Sequence, residues 1–227
     1  VDLDCDGGKV EITVMYPEGK NRIRGDADLE ITVPAASYVR LEGVSTSQTV
    51  RGVTGRVVLE ALSGDLTVEG DSPDVRAETM SGDIRIETGA GKVAAEAASG
   101  DITITGVPEE VRAETMSGDI RLVAGKLDEA ELATVSGSVE CRCDLRSGGR
   151  LSAEAVNGSV ILDLPDDISA TFTLETFNGS IISTLGGQTR RPGKEHGYGP
   201  GRSLEFRLGS GEGSVDVSVF NGKCTVK

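Results

Sequence analysis

A short motif, Ser-Gly-Asp followed by Leu or Ile, recurs at a fixed step of 18 residues in the middle of the chain. A fixed short period indicates a repeat architecture, in which each repeat is one unit that stacks on its neighbours. The copies of the motif, and the related Ser-Gly-Ser and Asn-Gly-Ser turns that follow them, begin at Ser63, Ser81, Ser99, Ser117, Ser136, Asn157 and Asn178. The chain is therefore expected to fold as a stack of similar coils.

Each coil contains two short strand patterns. Segments such as Ile84-Arg-Ile86 read apolar, polar, apolar and precede a polar turn, which is the pattern of a half-buried strand and its corner. Ile84, Ile102 and Ile120 would then stack at about 4.8 Å per coil, the spacing of paired strands. The sequence predicts an all-β, single-domain parallel β-solenoid with about 18–21 residues and two main strands per coil. Right-handed winding is the default for parallel crossovers.

The pattern also predicts how the chain is organised. The whole chain, 1–227, is read as one solenoid domain, with irregular strands or an N-terminal cap at 1–50 and regular coils at 51–185. A segment rich in Gly and Pro at 186–203 is expected to be a mobile loop, and 204–227 a terminal coil. A cap is expected because the open end of a solenoid is an aggregation-prone edge.

The composition limits both the core and the partners. Aromatic residues make up 3% of the chain and Trp is absent, so the core is expected to consist of Val, Ile, Leu, Ala and Thr. The net charge of −14 argues against binding to nucleic acid and to anionic membranes, both of which require basic patches. No run approaches the roughly 18 apolar residues of a membrane span. The chain opens at Val1 without Met, as it would if a leader or anchor had been processed or trimmed away.

The cysteines Cys5, Cys141, Cys143 and Cys224 are expected to be buried or half-buried free thiols. Cys-x-Cys on a strand places both thiols on one face, roughly 6–7 Å apart along the chain, and this spacing suits a disulfide poorly. Two thiols and a single histidine in the sequence make a weak metal site. No metal or other cofactor is predicted.

The Ser-Gly-Asp motif has a structural explanation. Glycine supplies the backbone conformation of a tight corner, and Ser, Asn and Asp cap neighbouring backbone groups there. The less favoured alternative is a calcium ladder formed by Asp65, Asp83, Asp101 and Asp119, since calcium-binding nonapeptide rolls also have 18 residues per coil. The paired glycines of those rolls are missing here, and Ser138, Ser159 and Ser180 replace Asp in the later coils.

An apolar residue precedes the Ser-Gly or Asn-Gly pair at each of these repeat turns. Strict alternation from Val75, Ala77 and Thr79 would point Met80 outward, whereas a bulge would turn it into the core. The inward arrangement is favoured, because successive coils keep the position apolar. An outward column would instead mark an interaction surface. The candidate column consists of Leu62, Met80, Ala98, Met116, Val135, Val156 and Phe177.

Catalysis is poorly supported by the sequence. His196 lies in the Gly/Pro-rich loop with Arg190, Arg191 and Lys194 nearby, and no nucleophile–base pair or metal-ligand spacing surrounds it. These four residues are candidates for a basic contact surface on the loop. A carbohydrate-active β-helix enzyme would need a cleft and paired carboxylates, and this alternative is the least favoured.

Several motifs together resemble a bacterial family, the SGD-repeat adhesin family of domains of unknown function. They are the Ser-Gly-Asp-Ile turns, Tyr16-Pro17 after a strand, Leu29–Pro34, and Gly211-Glu-Gly-Ser-Val with Asn221-Gly222. The resemblance implies a β-solenoid, an extracytoplasmic or cell-envelope location, and a non-enzymatic binding or scaffolding role toward an unidentified protein or glycan. A self-assembling rod resembling bactofilins is the alternative.

Overall fold

The computed structural model describes residues 2–6, 9–13, 28–89, 91–185 and 201–227. The described residues form strands and no helix. The strands are β1 (Asp2–Asp6), β2 (Lys9–Thr13), β3 (Val39–Ser45), β4 (Gln48–Arg51), β5 (Val57–Ser63), β6 (Leu66–Gly70), β7 (Asp74–Ser81), β8 (Ile84–Thr88), β9 (Lys92–Ser99), β10 (Ile102–Gly106), β11 (Glu110–Ser117), β12 (Ile120–Ser136), β13 (Val139–Asn157), β14 (Val160–Asp163), β15 (Ala170–Ser183), β16 (Arg202–Arg207) and β17 (Gly213–Val226).

The chain divides into two compact units, Val1–Val33 and Pro34–Lys227. In the first unit, β1 and β2 pair antiparallel, with Asp2 opposite Thr13. The second unit is a parallel β-solenoid, so the predicted all-β solenoid is confirmed. Its parallel pairing begins at β3, ahead of the boundary at residue 51 that the sequence indicates. A capping role for residues 1–50 stays a prediction, as does the hand of the winding.

Two ladders of strands form the solenoid, and we call their outer surfaces face 1 and face 2. Face 1 contains β3, β5, β7, β9 and β11, followed by the second halves of β12 and β13. Face 2 contains β4, β6, β8 and β10, followed by the first halves of β12 and β13 and by β14. The long strands β12, β13, β15 and β17 continue around the corner and contribute to both ladders.

Aliphatic side chains stack between the two ladders and form the core. Ile102 pairs with both Ile84 and Ile120, and all three are almost fully buried, as the 18-residue step predicts. Among the described residues Phe172 is the largest fully buried side chain, and its ring stacks on Phe206 with centroids 4.5 Å apart. The core is therefore built from Val, Ile, Leu and Ala, with Phe172 inserted at one end of the ladder.

The glycine of the Ser-Gly-Asp corner occupies a place that no side chain fits. Gly100 has a φ of 144°, and a Cβ there would overlap the carbonyl oxygen of Gly82 in the neighbouring coil. The same close approach recurs at each corner of the regular coils. Glycine is thus required both by backbone conformation and by the coil-to-coil spacing.

The aspartate of the motif bonds between coils rather than within its own turn. The Asp101 backbone N–H donates to Asp83 Oδ1 at 2.9 Å, and the Asp119 N–H donates to Asp101 Oδ1 at 2.8 Å. In the last coils an amide ladder takes over, in which Asn178 Nδ2 donates to Asn221 Oδ1 at 3.1 Å and Asn221 Nδ2 donates to Asn157 Oδ1 at 2.9 Å. Both sets of hydrogen bonds connect the corners of neighbouring coils, so they give the motif a structural role.

The three cysteines whose side chains the structure describes are free and buried, as predicted. Cys141 and Cys143 lean toward each other, with their Sγ atoms 3.5 Å apart. The hydrogen bond to Cys143 and burial raise the pKa of the Cys141 thiol well above its ordinary value. Burial raises the pKa of the Cys224 thiol to about 12. The Cys141 and Cys224 thiols are therefore neutral and unreactive at physiological pH.

The last coils do not stack in sequence order. β17 lies between β13 and β15: Val217 pairs with Ala153 on one side and with Leu174 on the other. β16 covers the outer edge of β15 as an antiparallel strand, and the stacked rings of Phe172 and Phe206 hold it there. The sequence predicts a terminal coil at 204–227. Within this segment β16 does lie at the outer edge, next to β15, whereas β17 is inserted between β13 and β15.

Candidate interaction face

The apolar column before the Ser-Gly corner faces outward on face 1, so the predicted inward arrangement is wrong. In β7 the side chains of Val75, Ala77 and Thr79 are buried, whereas that of Met80 is 59% exposed. The pairing with β9 is continuous on both sides of Met80, with Thr79 opposite Ala97 and Ser81 opposite Ser99. The strand therefore keeps its alternation through Met80, and no register shift turns the column inward.

The column runs along the described coils of face 1 and is longer than the sequence indicated. Its exposed members range from 42% exposure at Val156 and Phe177 to 69% at Val44, and Ala98 is half-buried. In spatial order the column consists of Val44, Leu62, Met80, Ala98, Met116, Val135, Val156, Phe220 and Phe177. Phe220 could have been predicted as a member from the sequence, because it precedes the Asn-Gly pair Asn221-Gly222. Val44 could not, because Ser45 and Thr46 follow it and the glycine is missing. The Phe177 and Phe220 rings stack with centroids 4.8 Å apart.

Charged side chains line the column on its N-terminal half, and most of the charges are paired. Arg40 Nη2 lies 3.1 Å from Glu60 Oε1, Arg76 pairs with Glu78, and Arg112 contacts Glu114 and, at 3.0 Å, Glu131 Oε2. The hydrogen bond to Glu78 raises the pKa of the Arg76 guanidinium above its ordinary value. The arginines thus relieve the repulsion between stacked glutamates.

The C-terminal half of face 1 is acidic without such pairing. Its outward positions on β13, β17, β15 and β16 carry Glu154, Asp216, Glu175 and Glu205, all exposed. Within the described part of the chain none of the four forms an ion pair. Small hydroxyl side chains alternate with them, since Ser218 pairs with both Glu154 and Glu175. A shallow depression of about 240 Å³ results, lined by Ser152, Glu154, Thr173, Glu175, Asp216, Val217 and Ser218.

Face 1 thus presents an apolar column beside a row of charged side chains. The described residues contain no group of three side chains able to hold a metal ion. The loop candidates Arg190, Arg191, Lys194 and His196 lie outside the described residues, and so does the loop beside which a glycosidase-like cleft would lie. Those two expectations stay predictions. The exposed apolar column and the charged side chains beside it are features of a contact surface.

A comparison of the chain with known protein families gives a match. A family model described as Toastrack DUF4097, a domain of unknown function, matches residues 3–226. Neither a curated protein nor a solved structure was found to match the chain. In the part of the chain that the structure describes, no helix has the length and apolar character needed to cross a membrane. The match covers almost the whole chain. The resemblance to the SGD-repeat adhesin family, and the binding role that it implies, stay predictions.

Proposed function

Because this chain belongs to the Toastrack DUF4097 family, for which no activity is established, we propose its function from its own surface: it is a non-enzymatic protein-binding or scaffolding module of the cell envelope. The observation that carries the proposal is the exposed apolar column of face 1, from Val44 to Phe177. A contiguous apolar surface of this extent on a folded domain marks a contact surface. The extracytoplasmic location is part of the same proposal.

The size of the column supports the proposal. Covering one half-exposed Leu, Met, Val or Phe removes roughly 50 Å² of apolar surface from water, worth about 1 kcal/mol. The exposed members of the column together would contribute on the order of 8 kcal/mol. This is comparable to the roughly 4–15 kcal/mol that association costs in lost freedom of motion. Polar contacts along the charged rows would then supply the remaining affinity and the specificity.

The rod-like alternative is disfavoured by one feature of the fold. A solenoid that polymerises end to end continues its parallel ladder from one copy to the next. Here β16 runs antiparallel along the outer edge of β15, so on face 1 the last parallel strand is already covered. Light scattering is expected to show discrete particles rather than filaments.

A photo-crosslinking experiment tests the proposal. A photoreactive residue is placed at Met116 on face 1, or as a control at Thr103 on the outer surface of face 2, in the full-length protein in its native host. We expect a discrete protein adduct from position 116 in the envelope fraction and none from position 103. The proposal is wrong if both positions give the same adducts or none, or if the protein fractionates with the cytoplasm.

A further inference from the structure

The two halves of face 1 differ in charge, and the difference indicates the chemistry of the partner. Beside the N-terminal half of the column, arginines neutralise the glutamates, as Arg40 does for Glu60. Beside the C-terminal half, Glu154, Glu175 and Asp216 surround the depression and have no ion-pair partner among the described residues. Among the described residues, basic side chains on these strands of face 1 lie toward the margin of the patch, at Arg150, Arg202 and Arg207, so the patch is acidic at its centre.

We propose that this acidic end of face 1 binds a basic amphipathic protein segment. The inference rests on the proposed function and names its partner. Apolar side chains of the segment would cover Val156, Phe220 and Phe177, while its Lys or Arg side chains would enter the depression between Glu154 and Glu175. The column and the carboxylates lie on the same outer surface, two residues apart on β13 and on β15, so one segment reaches both.

Charge complementarity selects this occupant over a second copy of the chain. The protein carries a net charge of −14, and two acidic ends placed face to face would bring like charges together. A basic segment instead gains attraction from carboxylates that have no ion-pair partner among the described residues. The apolar contacts are expected to supply most of the affinity, and the carboxylates the choice of partner.

A peptide-binding experiment on the full chain tests the inference. The probe is a labelled synthetic peptide of leucine and lysine, with two comparison peptides in which glutamate replaces lysine or serine replaces leucine. Binding is measured by fluorescence anisotropy at low and physiological salt. The test variant is Glu154→Gln with Glu175→Gln. The matched control is Glu69→Gln with Glu140→Gln, which changes the net charge equally but lies on face 2.

We expect the leucine–lysine peptide to bind more tightly than both comparison peptides and to weaken with salt. The face 1 variant should weaken it about fivefold, the effect of two exposed ion pairs, and the face 2 variant should change it less than about twofold. Equal weakening in both variants, equal binding of all three peptides, or displacement of the peptide by a neutral oligosaccharide would overturn the inference. If no peptide binds, the inference also fails. Crosslinking from position 116 would still test the contact surface on its own.

Discussion

Replacing Gly100 by Ala should destabilise the solenoid far more than replacing Gly52, although both glycines have positive φ. Gly52 has a φ of 67°, and no atom lies within 4 Å of the position that an alanine Cβ would take there. Gly52→Ala therefore costs only the strain of a left-handed alanine, about 1 kcal/mol. Gly100 has a φ of 144°, in a region that side chains rarely adopt, which costs about 1–3 kcal/mol.

At Gly100 a second cost adds to the strain. Its Cβ would overlap the Gly82 carbonyl oxygen, so the two coils must separate at this corner. Separation lengthens the bond from the Gly82 N–H to Ser99 O, now 3.0 Å, and the bond from the Asp101 N–H to Asp83 Oδ1, now 2.9 Å. At about 1 kcal/mol for each bond, the expected total for Gly100→Ala is about 3–5 kcal/mol.

Urea denaturation followed by far-ultraviolet circular dichroism measures both free energies of unfolding, and this signal is suitable because the chain has no Trp. The difference between the two variants contains the coil-to-coil overlap together with the greater backbone strain of an alanine at a φ of 144°. If Gly100→Ala loses no more stability than Gly52→Ala, the corner glycine does not set the coil spacing and the argument is refuted.

Two further predictions concern a buried thiol and the order of the coils. Because the Cys224 pKa is raised to about 12 in the folded protein, from 9.0, the unfolded state loses its proton first as pH rises. Stability is therefore expected to fall between about pH 9 and 12, by up to about 1.4 kcal/mol per pH unit for this thiol, and to fall less steeply in Cys224→Val; equal slopes would contradict this. Cysteines introduced at Glu154 and Ser218, which are paired neighbours, should form a disulfide. Cysteines at Glu154 and Glu175, which β17 separates, should not, and the reverse result would show that the coils stack in sequence order.

The solenoid itself follows from the sequence because the pattern is geometric. Side chains alternate strictly along a strand, so residues 18 apart, such as Ile84 and Ile102, must stack once the corners repeat. The corner glycines can be predicted in the same way, since a position that the coils from Gly64 onward keep as glycine indicates a backbone that no side chain tolerates.

The direction of the apolar column could not be predicted from residue polarity, which here conflicts with strand alternation. Thr115 reads as polar and Met116 as apolar, yet Thr115 is buried and Met116 is 64% exposed. The Thr115 hydroxyl donates to Gly100 O at 3.2 Å, a bond to the neighbouring corner that only the folded coils provide. A buried hydroxyl that is hydrogen-bonded costs little, so the strand keeps its alternation and exposes Met116. The same bond recurs at 3.1 Å from Thr134 to Gly118 O.

The order of the last coils is not specified by the repeat pattern. Asn157, Asn178 and Asn221 each begin an Asn-Gly turn, so any of the three coils stacks on any other in the same register. What selects the order lies outside the repeat: β16 pairs antiparallel with β15, and Phe206 stacks on the buried Phe172. With its outer edge covered, β15 offers only its inner edge, and β17 occupies it. The insertion also sets Phe220 directly beside Phe177 and Asp216 between Ser152 and Thr173, and so assembles the acidic end of face 1. The contact surface that we propose therefore depends on the stacking of Phe206 on Phe172. This contact lies outside the repeat, so an alignment of the coils by their repeats does not predict it.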